Sequence, residues 1–147
     1  MCARADAVLR QLAPQYIDTA RARVVYRHFS FIGAESDAAA NAAECAGDQN
    51  RFWDYADYLF THQAGENGGA FAAANLKQFA SQIGLERTPF DACVDGGTHM
   101  ATVKQDTLEG KQRGVRATPT FFVNNQRIEG LPAANQLAQM IDSLQPK

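Results

Sequence analysis

Ten residues decide how this chain folds: Gly114-Val115-Arg116-Ala117-Thr118-Pro119-Thr120-Phe121-Phe122-Val123. Gly114 follows a helical run with cationic last residues, and a glycine in the left-handed conformation commonly ends a helix. Thr118 precedes a proline, which favours extended backbone. Pro119 lacks the N–H that a central strand needs, so it belongs at the first residue or edge of a strand. The stretch therefore predicts a helix end followed at once by an apolar strand.

The residues after this stretch predict a β-hairpin and a last helix. Asn124-Asn125 suits a two-residue turn, and residues 126–130 supply the returning strand. A helix is predicted over residues 132–144.

Size and charge restrict the possible functions. A chain of 147 residues that is 46% hydrophobic predicts one domain with a sizeable core. The net charge is −2, from 14 basic and 16 acidic residues spread along the chain, which argues against nucleic acid and membrane surfaces as partners. No apolar run approaches the ~20 residues that span a bilayer, and the first residues lack the apolar core of an export signal.

The remaining pattern is largely helical. Residues 3–13 predict an amphipathic helix that Pro14 helps to end. The β-branched and aromatic run over residues 23–29 predicts a strand. Together, this helix and strand form the second half of a βαβ unit. Capping residues then predict a series of helices: 37–46 after Ser36, 51–62 after Asn50, 76–83 after Asn75, 90–94 after Thr88 and Pro89, and finally 98–113.

The order of these elements resembles a known family. A helix, the motif Gly-Val-x-x-Thr-Pro-Thr-Phe-Phe-Val-Asn, a hairpin and a final helix resemble the C-terminal half of a thioredoxin fold, most closely that of the DsbA-like thiol:disulfide oxidoreductases. Phe52-Trp53-Asp54-Tyr55 and Phe90-Asp91-Ala92-Cys93 extend the resemblance over nearly the whole chain. It implies an α/β, thioredoxin-like domain over residues 1–147, with residues 1–33 and 98–147 as the core and residues 34–97 as a helical insertion.

The resemblance assigns roles to Thr118 and Pro119. In the family this Thr-Pro bond is cis, faces the redox cysteines and contacts substrate. The residues alone leave open an ordinary trans proline at the start of an edge strand, because cis is the minority form of X-Pro bonds.

Cys2 is the catalytic candidate. It directly precedes the first helix and so corresponds to the second cysteine of the family's Cys-x-x-Cys motif, in which the helix N-terminus stabilises a thiolate. The alternative is an unimportant thiol in a frayed terminus. The first cysteine and the central strand before it are absent, which leads us to expect a truncated form that begins inside the motif. A second copy that exchanges a strand is the other way to fill the gap, as a homodimer.

Cys45 and Cys93 fall on two different predicted helices. They are either two buried, reduced cysteines or, in an oxidising compartment, a structural disulfide, which we favour. The cysteine spacing is not that of a zinc site, and His28, His62 and His99 lack the i,i+4 spacing of a helical metal site. Polar contacts explain the three histidines best. Neither a metal nor another cofactor is expected.

The function that the resemblance implies is protein thiol:disulfide exchange. Substrates would be extended proteins that carry cysteines, a redox protein would be the second partner, and the full-length form would be extracytoplasmic, although this chain shows no export signal. Cys2 without a nucleophilic partner predicts weak or no activity for this chain. The alternative is a thioredoxin-fold module that binds peptides at Thr118 and Pro119 without redox chemistry.

Overall fold

The computed structural model describes residues 1–144, which form seven helices and one two-stranded antiparallel sheet. In chain order they are α1 (Cys2–Tyr16), α2 (Ala34–Gly47), α3 (Phe52–Thr61), α4 (Ala73–Gln82), α5 (Arg87–Gly96), α6 (Met100–Gln112), β1 (Thr120–Val123), β2 (Gln126–Glu129) and α7 (Ala134–Ser143). Among these helices, none combines the length and the apolar character needed to cross a bilayer.

The chain divides into two compact units. The first, which we call the terminal unit, consists of Met1–Tyr26 and the described residues from Gly114 onward, and it contains α1, the β1–β2 hairpin and α7. The second, the helical unit, is Arg27–Arg113 and contains α2 to α6. The predicted division at residues 33/34 and 97/98 stays a prediction, and residues 145–147 of the predicted domain lie outside the described residues.

The terminal unit is held together by an apolar cluster between α1 and α7. Leu12, Tyr16 and Leu137 are buried, and side chains of the hairpin, among them Val123 and Ile128, pack against them. The Tyr16 hydroxyl donates a hydrogen bond to Asp142 Oδ2 at 3.0 Å. Burial, and after it the Asp142 carboxylate, raises the pKa of Tyr16, so this hydroxyl remains a donor at neutral pH.

The core of the helical unit is aromatic and alanine-rich. Tyr55, Leu76 and Phe90 have no exposed surface, and the alanines of α2 allow the helices to approach closely. The Tyr55 hydroxyl donates to the Leu76 carbonyl at 2.8 Å, and burial raises its pKa. Trp53, two positions before Tyr55 in α3, is 45% exposed.

The hairpin and the helix end before it form as predicted. Gly114 has φ +76°, the left-handed conformation that ends α6. β1 pairs antiparallel with β2, with Thr120 opposite Glu129 and Val123 opposite Gln126. Asn124 opens the turn with φ +52°, a conformation that asparagine tolerates better than most residues.

Two backbone predictions are wrong. Residues 23–29 are not a strand, since within residues 1–144 the strands are the two of the hairpin. A strand needs a hydrogen-bonded neighbour, and β-branched residues alone do not provide one. Pro14 lies inside α1 rather than ending it, and the helix continues to Tyr16.

The predicted helix caps are also wrong, because each helix begins at another residue. Ser36 and Asn75 are the third residues of α2 and α4, and Thr88 is the second residue of α5. The Asn75 amide donates instead to the carbonyls of Gly69 and Ala70 in the preceding loop. Asn50 takes φ +60° in the turn between α2 and α3. Asn75 and Asn50 therefore belong to the connecting turns, whereas Ser36 and Thr88 lie inside their helices.

Candidate redox sites

Cys2 is the first residue of α1, and its thiol is free and partly exposed. The Met1 carbonyl accepts hydrogen bonds from the amides of Arg4 at 3.0 Å and Ala5 at 3.2 Å, so the first helical turn closes directly around the cysteine. The first amides of a helix lack intrahelical acceptors and carry partial positive charge. Cys2 therefore lies at a helix start, a position where reactive cysteines are found in other proteins.

The Thr118–Pro119 peptide bond is cis. Pro119 is buried and Thr118 is partly exposed. The Pro119 carbonyl accepts a hydrogen bond from the Gly130 amide at 2.8 Å, and the Thr120 hydroxyl donates to the Ala117 carbonyl at 2.7 Å. The hairpin thus holds the backbone on the C-terminal side of the proline. The terminal unit contains all three residues that the sequence assigned to exchange and substrate binding.

Cys45 and Cys93 form a disulfide in the helical unit. Their sulfur atoms are 2.05 Å apart and their Cα atoms 5.8 Å apart, and they are separated by 48 positions in the sequence. The bond joins α2 to α5. Cys45 is 1% exposed, whereas Cys93 is partly exposed.

The side chains of His99 and Asp48 lie beside this disulfide and were not identified as functional from the sequence. A ring nitrogen of His99 and the two sulfur atoms all lie within 4.8 Å of one another. His99 Nε2 is 2.8 Å from Asp48 Oδ2, and the same carboxylate oxygen is 3.8 Å from Cys93 Sγ. Asp48 follows Cys45 by three residues and His99 follows Cys93 by six, spacings that become informative only once α2 and α5 are known to pack together.

The other two histidines have the polar contacts that the sequence predicted. His28 is buried, and its Nε2 lies 2.7 Å from Glu44 Oε1. His62 Nδ1 lies 2.8 Å from the Tyr58 carbonyl, and its ring stacks on Tyr58 with 3.9 Å between centroids. The contact of His28 is with Glu44 of α2, and that of His62 is with Tyr58 of α3.

Curated relatives of this chain are much longer proteins. The chain is 31% identical over 154 residues to the Na(+)/H(+) antiporter NhaA 1 of Salinispora arenicola, which covers 99% of this chain and 22% of that protein. It is 31% identical over 121 residues to the Na(+)/H(+) antiporter NhaA of Herminiimonas arsenicoxydans, covering 82% and 18% respectively. The chain therefore spans about a fifth of the length of these relatives.

Solved structures share the fold. Oxidised BdbD from Bacillus subtilis superposes with a TM-score of 0.86 at 20% identity, covering 97% of this chain and 79% of that one. The thiol-disulfide exchange protein α-DsbA2 from Wolbachia pipientis gives 0.82 at 20% identity, with 98% and 75% covered. A thioredoxin-like oxidoreductase from Silicibacter pomeroyi gives 0.80 at 24% identity, with 97% and 78% covered.

A family model described as thioredoxin matches residues 1–143, nearly the full length of the chain. The match includes the start of α1 at Cys2, the Thr118–Pro119 bond and the hairpin, which are the features from which the sequence predicted this fold. With a fold shared with DsbA-type exchange proteins, the chain belongs to the thioredoxin family.

Proposed function

We propose that this chain is a thiol:disulfide oxidoreductase of the DsbA-like type that acts on cysteines of extended protein substrates. The observation that carries the proposal is the free Cys2 thiol on the first turn of α1, within a thioredoxin-family unit that also contains the Thr118–Pro119 bond. Structures with this fold include a thiol-disulfide exchange protein.

Exchange takes two successive thiolate attacks on a disulfide, and Cys2 is the attacking thiolate in the second. In the first, a nucleophilic thiolate attacks a substrate disulfide, forms a mixed disulfide and releases one substrate sulfur as a thiolate. In the second, the Cys2 thiolate attacks the enzyme sulfur of that mixed disulfide and releases the other substrate thiolate. The substrate gains two electrons, and the enzyme thiols become a disulfide; the reverse sequence oxidises a substrate.

Within residues 1–147, no second free thiol accompanies Cys2 to complete this cycle. The sequence contains three cysteines, and the other two are bonded to each other. A nucleophilic cysteine placed two residues before Met1 would generate the Cys-x-x-Cys spacing with Cys2. Residues 1–147 alone are accordingly proposed to be weak or inactive in turnover.

Substrate binding is assigned to Thr118 and Pro119. Thr118 is partly exposed next to a strand, and an extended peptide recognises such an edge by pairing its own amides and carbonyls with the backbone. Because this mode pairs with the peptide backbone, it is compatible with substrates of different sequence.

The Cys45–Cys93 bond supports an extracytoplasmic location, because protein disulfides persist in oxidising compartments and are rare in the cytosol. A redox protein that restores the thiols or the disulfide at Cys2 is the second proposed partner.

A dipeptide extension tests the proposal directly. Adding Cys-Ala ahead of Met1 creates a Cys-Ala-Met-Cys motif, and the extended protein is expected to reduce insulin or oxidise a dithiol peptide at least about tenfold faster than the chain without it, since a resolving thiol releases the mixed disulfide. The matched control adds Ser-Ala. Cys2→Ser in the Cys-Ala form is expected to stop turnover and to accumulate the mixed disulfide, seen by mass spectrometry.

Equal rates for the Cys-Ala and Ser-Ala forms would contradict the enzyme proposal. If both forms then bound an extended peptide with the same affinity, the non-catalytic peptide-binding module would be the better description.

The curated relatives favour a second candidate role. They are sodium/proton antiporters, and their similarity extends over 99% of this chain in one case and 82% in the other. A redox module that works beside a membrane transporter is the role this observation suggests. Co-purification of this chain with a tagged sodium/proton antiporter from the same genome is the expected result, and recovery no higher than with an unrelated tagged transporter would argue against it.

A further inference from the structure

We propose that Cys45, Cys93 and His99 bind a zinc ion when the disulfide between the two cysteines is reduced. The donor atoms are already together, since both sulfur atoms and a ring nitrogen of His99 lie within 4.8 Å of one another. Thiolate and imidazole are the ligands that zinc prefers, and two cysteines with one histidine form a known three-ligand set that leaves a fourth position for water.

The geometry needs only small movements. With bonds of about 2.3 Å to sulfur and about 2.0 Å to nitrogen, a tetrahedral zinc ion places its ligand atoms about 3.5–3.8 Å apart. The sulfur atoms are 2.05 Å apart in the disulfide and separate once that bond is broken. The Cα atoms, 5.8 Å apart, can remain where they are while the cysteine side chains rotate. The His99 ring nitrogen lies within 4.8 Å of both sulfur atoms, so it must approach them by no more than about 1.3 Å.

Asp48 and Asn41 hold His99 in place. The Asp48 carboxylate lies 2.8 Å from His99 Nε2, and the Asn41 side-chain carbonyl accepts a hydrogen bond from the His99 backbone amide at 2.9 Å. Zinc bound through His99 Nδ1 leaves Nε2 to the Asp48 carboxylate, and a carboxylate on the other nitrogen of a ligating histidine orients the ring and makes it a stronger donor. The negative charge of Asp48, 3.8 Å from Cys93 Sγ, also favours a cation at this position.

The chemistry balances in two steps. A dithiol reductant supplies two electrons and two protons, becomes a disulfide itself and leaves two thiols at Cys45 and Cys93. A zinc ion then displaces one proton from each thiol, so that two protons are released and two zinc–sulfur bonds form. In the reverse direction a small-molecule disulfide accepts two electrons and two protons, becomes two thiols, restores the Cys45–Cys93 disulfide and releases the ion.

Both states link α2 to α5. The disulfide is the link under oxidising conditions, and the zinc ion replaces it under reducing conditions, where the helical unit would otherwise lose its covalent constraint. Solvent reaches the site, because Cys93 is partly exposed and the Asp48 side chain is 55% exposed.

Cobalt provides the spectroscopic test. The full chain carrying Cys2→Ser, which removes the other thiol, is reduced with a phosphine, freed of reductant under anaerobic conditions and titrated with Co²⁺. A thiolate-to-cobalt charge-transfer band is expected that saturates at one ion per chain and disappears on addition of Zn²⁺. The oxidised protein should show no such band.

Variants of the neighbouring residues identify the ligands. His99→Gln is expected to abolish tight binding, and Asp48→Asn is expected to weaken it by about 10- to 100-fold. His62→Gln, which alters an exposed histidine of the same unit, is the matched control and should bind like the parent. The proposal is overturned if the reduced Cys2→Ser protein gives no charge-transfer band, or if His99→Gln binds as tightly as the parent. Neither measurement depends on thiol exchange at Cys2.

Discussion

Replacing Cys45 and Cys93 with alanine together is expected to lower the free energy of unfolding by about 4 kcal/mol. The bond closes a loop between residues 48 positions apart, and a covalent link of that span removes conformational entropy from the unfolded chain equivalent to about 4 kcal/mol. Urea unfolding of the oxidised parent and the double variant, followed by circular dichroism in the presence of a chelator, measures the difference. The chelator keeps metal from replacing the missing link.

Cys2→Ala is the matched control, because it removes a cysteine that is not bridged. Its free energy of unfolding should stay within about 0.5 kcal/mol of the parent value. A loss below about 1 kcal/mol for the double variant would mean that the bridge does not constrain the unfolded chain as the loop-entropy model requires.

A comparable loss, about 3–5 kcal/mol, is expected for Phe90→Ala. Phe90 has no exposed surface, lies in the apolar cluster of the helical unit, and its ring centroid is 5.3 Å from that of Tyr55. Truncation removes the transfer free energy of the ring and leaves a cavity that neighbouring helices fill only in part. The measurement is the same urea titration with the disulfide intact.

The control for this substitution is Phe31→Ala. Phe31 belongs to the same unit but is 52% exposed, so its truncation should cost well under half as much as that of Phe90. Similar losses for the two variants would contradict the assignment of Phe90 to the centre of the core.

Short-range chemistry explains what could be predicted from the sequence. Gly114 and the Asn124 turn adopt left-handed conformations that few other residues tolerate, so the helix end and the hairpin are marked by residue type alone. The resemblance around Thr118 and Pro119 added the thioredoxin fold, which the match over residues 1–143 supports. The sequence also favoured the Cys45–Cys93 bond, from two cysteines on helices expected to pack.

Helix starts and the strand at residues 23–29 were predicted wrongly because they depend on neighbours distant in the sequence. Ser36 has the chemistry of a cap, yet α2 begins at Ala34. The Ser36 side chain is therefore already inside the helix, where its propensity for a cap has no effect. Val24 and Val25 have the propensity for a strand, but a strand is defined by its hydrogen-bonded partner.

The sequence by itself determined the hairpin, the position of Cys2 at a helix start and the family. Only the tertiary structure decided that His99 and Asp48 flank the Cys45–Cys93 bond, because Cys45 and Cys93 stand 48 positions apart and their surroundings are created by the packing of α2 against α5. A turn depends on the conformations of a few adjacent residues, whereas a cluster of side chains from separate helices exists only after those helices have packed.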